Sequence, residues 1–369
     1  MADRNMRATP MDRVTRLLLA ALVGFGSAYS TAESVTVVSW GGSYADACEE
    51  AYLKPFAAET GIEVLLDDYN GGLSQVRSQV EAGRVYWDIV DIQFPDLVRG
   101  CDEGLFEILD PSLLAQGADG SAPEDDFYPD LISECGIAML FFSTVVAYNH
   151  ERTTGVVPRT IQDFFDLERF PGRRGMRRVP VANLEFALMA DGVPASEVYA
   201  VLDTREGIDR AFRKLDTIKD QLVWWDAGAQ PPQMLADGEV VMTTAYNGRI
   251  FNAQVLENQP FTIVWHGQVL EISNLAILAG SPNLSAARRL IAFASRPSSM
   301  AGVSRYIAYS PSRRSAEGLV SHHLSTGVPM ESHMPNAPEN TKLALRSDWV
   351  WWADNGDDMN ERFGSWLLR

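Results

Sequence analysis

An α/β protein of two lobes is the fold class the sequence predicts, and three observations lead to it. Between Ser34 and Gln93 the segments alternate strand, helix, strand, helix, strand, the rhythm of a doubly wound sheet with its ligands at the carboxyl ends of the strands. The 369 residues are enough for two lobes at roughly 100–200 residues per domain. Strand patterns near residues 145 and 273 take the chain out of the first lobe and back into it, and two such crossovers make a two-strand hinge.

SVTVVSW reads as a strand because Val35, Val37 and Val38 are β-branched and Gly41-Gly42 break the run. YADACEEAYLKPFAAETG has helical spacing and stops at Gly61. IEVLLDDY is the second strand, GGLSQVRSQVEAG a helix bounded by glycines, and WDIVDIQ the third strand, running into a short helix through Pro95 to Gly104. TVVAYN is a crossover strand and PRTIQDFFDLERFPG a capped helix. RRGMRRVP reads as a basic loop, followed by three helices in LEFALMADG, ASEVYAVLDT and GIDRAFRKLDTIKDQL. EVVMTTAY, FTIVW and ISNLAIL are strands, with a Tyr-Asn-Gly-Arg turn at 246–249 between the first two. PNLSAARRLIAFAS is a helix, residues 321–340 are loop, and TKLALRSDWVWWADNGDDMNERFGSWLL closes the chain as a helical tail. The expected organisation is 1–32 leader, 33–145 plus 273–330 lobe one, 146–272 lobe two and 331–369 tail.

Charge and motifs narrow the function. The formal net charge of −18 argues against nucleic acid, whose phosphates would be repelled. Arg4, Arg7, Arg13 and Arg16 precede the apolar LLLAALVGF, and small residues follow to Ala32. That is the pattern of a secretory signal, so the mature chain is expected in the periplasm. In an exported chain three cysteines allow at most one internal disulfide. Cys101 and Cys135 lie at segment ends and are the expected pair, with Cys48 left free in a helix; three unpaired thiols are the alternative. No GxSxG, HExxH, CxxC or phosphate loop is present. His322, His323 and His333 are expected in a solvated loop, and neither a metal nor a cofactor is implied.

What stands out is aromatic and polar residues at strand ends. Trp40 closes the first strand before Gly41, Gly42, Ser43 and Tyr44, and is either a ligand wall or a core staple. Gln93 ends the third strand with an amide that can donate and accept. Tyr246 ends the EVVMTTAY strand, and of Trp224 and Trp225 one is expected to be core and the other to line a cleft.

Taken in order, VTVVSWGGSY, FAAETGIEV, WDIVDIQ, GLFEILDPSLL, AYNGRIFNAQ, ISNLAI and AARRLIAFASRP resemble the periplasmic spermidine/putrescine-binding proteins, soluble receptors of ABC importers. The resemblance implies a periplasmic binding protein type II-like fold, two α/β lobes that close on a small amine or amino acid without chemistry, a membrane permease as partner, and a monomer. It places Trp40, with Gly41 and Ser43 beside it, and Tyr246 as walls, and Gln93 as a polar contact; Trp225 joins them as a candidate. Arg249 stands where the polyamine binders put an Asp. Glu271 and Ser273 stand where they put an aromatic and an Asp, and Glu185 is the nearest candidate for an acidic pair. An Arg at one end of the slot clamps a carboxylate and repels a second ammonium. With Glu271 at the other end, the slot fits an ω-amino acid of the γ-aminobutyrate kind. Alternatively, Arg249 pairs with Glu271 and the contacts lie elsewhere. The competing class is an exported enzyme on the same fold, thiaminase-like, with Cys48 as nucleophile.

Overall fold

A computed structural model describes residues 33–153 and 155–369; the leader expected at 1–32 lies outside the described residues. Eight strands form the main path of one sheet: β1 Ser34–Ser39, β2 Glu63–Asp68, β3 Ile89–Gln93, β4 Gly136–Asn149, β5 Arg174–Arg177, β6 Leu222–Trp225, β7 Met242–Tyr246 and β8 Phe261–Ile277. Their order is β2-β1-β3-β8-β4-β7-β5-β6. β1 is parallel to β2 and β3, and β5 is parallel to β6 and β7, whereas β8 is antiparallel to β3 and β4, and β4 to β7.

These directions position the site. The β2-β1-β3 group runs with β4 and the β7-β5-β6 group runs against it, so the carboxyl ends of the two groups meet from opposite sides. Helices on each group make it a lobe, and the cleft between them is where an open α/β sheet gathers ligands. β4 and β8 belong to both lobes: they pair from Gly136↔Ala276 to Asn149↔Phe261, with irregularities between Ala138 and Leu140 and between Thr144 and Val146. Such bulges bend a strand pair locally. The type II-like architecture expected from the resemblance, two lobes on a two-strand hinge, is the one observed.

Besides β6, which the sequence did not predict, four local readings differ from the sequence. FTIVW and ISNLAIL are parts of one strand, β8, because Val269, Leu270 and Glu271 of the intervening HGQVLE pair with β4 and Val269 and Leu270 also with the short strand Leu345–Arg346, while 266–268 bulge out of the β4 register. RRGMRRVP holds β5 rather than a loop: Arg174 is fully buried and spends its donors on the carbonyls of Phe164, Asp166, Phe170 and Gly172. The Tyr-Asn-Gly-Arg stretch is no free turn, since a helix, Asn247–Leu256, starts directly after β7 and Asn247 bonds the backbone of Ser143 and Ala308. His323, expected in solvent, is buried against Phe251 with Nε2 on the Tyr306 carbonyl.

Cys101 and Cys135 form the expected disulfide, and Cys48 is free and buried. The tail folds into the helix Trp349–Leu367, which touches both lobes. Trp349 packs on Phe94 at 4.7 Å and Asp357 pairs with Arg99 at 2.8 Å, while the indoles of Trp352 and Trp366 donate to Glu185 and Asp216, each at 2.7 Å.

Candidate ligand site between the lobes

The ends of β1, β3 and β7 and the middle of β8 converge on one pocket with a cavity volume of about 30 Å³. Trp40, Tyr44, Phe142, Tyr246 and Tyr309 give it aromatic walls, and Gln93, Arg249 and Ser273 supply its polar groups. Strand register explains the convergence. Gln93 is opposite Ser273 and Ser273 opposite Leu140, while Tyr246 is opposite Thr144, four residues further along β4, so four adjacent strands bring side chains to the hinge.

Arg249 enters from the first turn of the Asn247–Leu256 helix and is 4% exposed. Nη2 donates to the carbonyls of Gly41 at 2.7 Å and Trp40 at 3.2 Å, Nη1 reaches Ser43 Oγ at 3.4 Å, and Nε has no partner. None of these acceptors is charged. Gly41 and Gly42 have φ of 60° and 54°, and a Cβ on Gly42 would lie 2.8 Å from Arg249 Nη1, so Gly42 makes room for the guanidinium. Gly41 and Ser43 thus hold Arg249 instead of forming the wall.

Glu271 is not its partner. Its Oε1 accepts from Gln93 Nε2 at 2.8 Å and its Oε2 from Thr144 at 2.7 Å, which places it behind Gln93. Burial pushes its carboxyl up to about 6, against the Thr144 bond, the nearby Arg177 charge and the Gln93 bond. Gln93, with its NH₂ turned to Glu271, keeps its carbonyl oxygen as an acceptor.

The other sequence candidates stand one layer back. Trp225, fully buried, meets Tyr246 edge-on at 5.5 Å and backs that wall, while Trp224 packs on Phe363 and Trp366 of the tail helix. Glu185 lies in a separate cluster, accepting from Tyr199 at 2.8 Å and Trp352 at 2.7 Å. Cys48 is enclosed, and burial raises its thiol far above the range of a reactive thiolate.

Besides Tyr44 and Leu140, four lining or supporting groups escaped the sequence reading. Tyr309 follows a helix in a region with faint strand signals, and Phe142 is hidden in the apolar run of β4. Arg177, at the end of β5, lies 5.7 Å over the Trp40 ring and 5.8 Å over the Tyr246 ring while donating to the Asn70 carbonyl. All four residues of Arg-Gly-Met-Arg are buried, so no period-two alternation marks that strand in the sequence. Asp91, an acid inside a central strand, is the fourth.

Two lobes on a paired-strand hinge, with a small aromatic pocket where their strand ends meet, define a receptor that closes on a solute. Residues 51–329 match the family model described as bacterial extracellular solute-binding protein. The chain belongs to that family. It is 41% identical over 355 residues to a γ-aminobutyric acid-binding protein of Pseudomonas aeruginosa, an alignment covering 96% of this chain and 97% of that one. An ABC transporter substrate-binding protein of Bradyrhizobium japonicum superimposes with a TM-score of 0.78 at 32% identity, covering 91% of this chain and 99% of the other. A solved GABA receptor does so with a TM-score of 0.76 at 28% identity, covering 91% and 98%.

Proposed function

We propose that the chain is the periplasmic receptor of an ABC importer, exported by the leader at its N-terminus, and that it captures a short ω-amino acid of the γ-aminobutyrate kind without transforming it. The observation that carries this reading is Arg249, a buried guanidinium at the pocket whose hydrogen bonds go to two carbonyls and a hydroxyl, with Nε free. A ligand carboxylate supplies the missing counter-charge and the fork geometry suits it. Across the pocket Gln93 offers a carbonyl oxygen with Glu271 behind it, so the far end favours an ammonium. The aromatic walls add cation–π attraction of about 0.5–2 kcal/mol for each well-placed ring.

The γ-aminobutyrate binding named for the Pseudomonas relative and for the solved receptor supports the same assignment. A polyamine would put its second ammonium against Arg249. A thermal-shift panel of γ-aminobutyrate, putrescine, spermidine and α-amino acids tests the ligand. At a hundredfold excess over Kd, γ-aminobutyrate is expected to add about 2.7 kcal/mol of stability and to be recovered unchanged by mass. Stabilisation by putrescine alone overturns the ω-amino-acid reading, and a product mass overturns the receptor reading.

A further inference from the structure

Asp91 sits on β3, 1% exposed, directly beneath the pocket. Trp40 Nε1 donates to its Oδ1 at 3.1 Å, Tyr44 OH to its Oδ2 at 2.6 Å, and Ser273 Oγ to Oδ1 as well. All three donors line the pocket, and all three are neutral. The backbone carbonyl of Asp91 accepts from Tyr69 OH at 2.6 Å, and the Tyr69 ring packs on Trp40 at 5.1 Å. One residue therefore fixes the indole from two sides and orients a phenol and a hydroxyl of the same cavity. A carboxylate removed from water costs several kcal/mol unless a cation balances it, and its three donors carry none.

We infer that Asp91 is the positioning residue that sets the pocket's preference for an amine: its negative charge, relayed through Trp40, Tyr44 and Ser273, is balanced by the ammonium of the bound solute. The relay is electrostatic. An indole N–H or phenol O–H that donates to a carboxylate has more negative charge on its ring, and such a ring attracts a cation on its face more strongly. Arg249 selects the acid end of the ligand, and Asp91, at one remove, selects the amine end. The inference rests on the reading that the solute bears an ammonium.

Titration calorimetry with γ-aminobutyrate and with butyrate, which lacks the amine, separates this role from a structural one. Asp91→Asn keeps an acceptor for Trp40 and Ser273 and removes the charge. It is expected to weaken γ-aminobutyrate at least tenfold while butyrate changes less than twofold. An equal loss for both ligands, or no loss for either, overturns the inference. If near-UV circular dichroism shows that Asp91→Asn does not fold, Trp40→Phe carries the test, because it keeps a ring in the wall without the N–H that links it to Asp91. A preference for γ-aminobutyrate over butyrate that survives in Trp40→Phe overturns the inference, and its loss supports it. If the unmodified protein takes putrescine and not γ-aminobutyrate, the ω-amino-acid reading fails. The Asp91 inference is then read on putrescine, which must weaken in the same variants. A protein that binds no amine at all refutes both.

Discussion

Arg249 and Arg313 are both buried guanidinium groups, 4% and 0% exposed, yet they do opposite work. Arg313 donates from Nε to Asp126 at 2.6 Å and from Nη1 to the Ser295 carbonyl at 2.5 Å, and stacks over Phe127 at 4.7 Å. Asp126 in turn accepts from the backbone and hydroxyl of Ser315. Each arginine leaves one nitrogen unpartnered, so the count of hydrogen bonds does not separate them. The carboxylate does. A buried cation with its acid in place is a closed structural unit, whereas one bonded only to neutral oxygens keeps its charge available for a ligand.

The largest expected effect breaks the structural unit. Arg313→Ala strands the Asp126 charge in the interior and is expected to cost about 3–5 kcal/mol, read as a lower urea midpoint, with the affinity of the remaining folded protein for γ-aminobutyrate unchanged. Arg249→Ala is expected to do the reverse: binding falls at least a hundredfold, about 2.7 kcal/mol, with folding stability altered by less than about 1 kcal/mol. Arg249→Lys restores the charge without the planar fork and should recover only part of the affinity. If Arg249→Ala unfolds the protein and Arg313→Ala abolishes binding, the distinction between the two arginines is wrong.

The sequence already separated them in part. Arg249 stood out because it follows a β-branched strand and a Gly, at a place where the resembling family has an acid. Trp40, Gln93, Tyr246 and Ser273 were legible for a related reason: residues at the carboxyl ends of parallel strands, or opposite them in register, point into the cleft whatever the details of packing. The groups behind them were not legible. Glu271 was expected to meet the amine directly, yet Gln93 stands in front of it, and only cross-strand register places a side chain in the first or second layer. Arg177 looked like surface because Arg173, Arg174, Arg177 and Arg178 crowd one hexapeptide, a density that normally means solvent. Arg174 escapes that rule by spending its donors on four carbonyls, and Arg177 by lying against two rings. Asp91 offered a clue that went unused, since an acid in an apolar central strand needs a reason. The two-lobe fold was read correctly because alternation of segments survives local errors such as the missed strands β5 and β6.

A smaller effect concerns the pocket's acids. Burial pushes both Asp91 and Glu271 up to about 6, and an ammonium beside the pocket favours their ionised forms. Affinity for γ-aminobutyrate should be level above pH 7 and decline below pH 6, by about tenfold by pH 5. Calorimetry in two buffers of different ionisation enthalpy should register protons released on binding near pH 5.5. A flat affinity down to pH 5, or proton uptake, would remove the acids from the amine end and leave Arg249 as the only charge that matters.

The smallest expected effect applies the same comparison to an acid outside the pocket. Glu185 is fully buried, accepts from Tyr199 and Trp352 through Oε1, and has no partner for Oε2. Burial pushes its carboxyl up to about 7 from the ordinary 4.5 of a glutamate. The folded protein therefore holds this proton more tightly than the unfolded chain does. Its burden on stability is full above pH 7, shrinks as the pH falls, and is gone below pH 4.5. Glu185→Gln offers the same acceptor without a charge and places an NH₂ where Oε2 has no donor, so it should stabilise the protein at pH 8 by about 1 kcal/mol once burial of the amide is counted. Urea titrations at pH 8 and pH 4.5 should show the gain at the first and not at the second, with γ-aminobutyrate binding unchanged in either. A loss of binding in this variant would instead tie Glu185 to the amine end, where the sequence first placed it, and would mean that an unpaired buried acid, like an unpaired buried arginine, marks the ligand site.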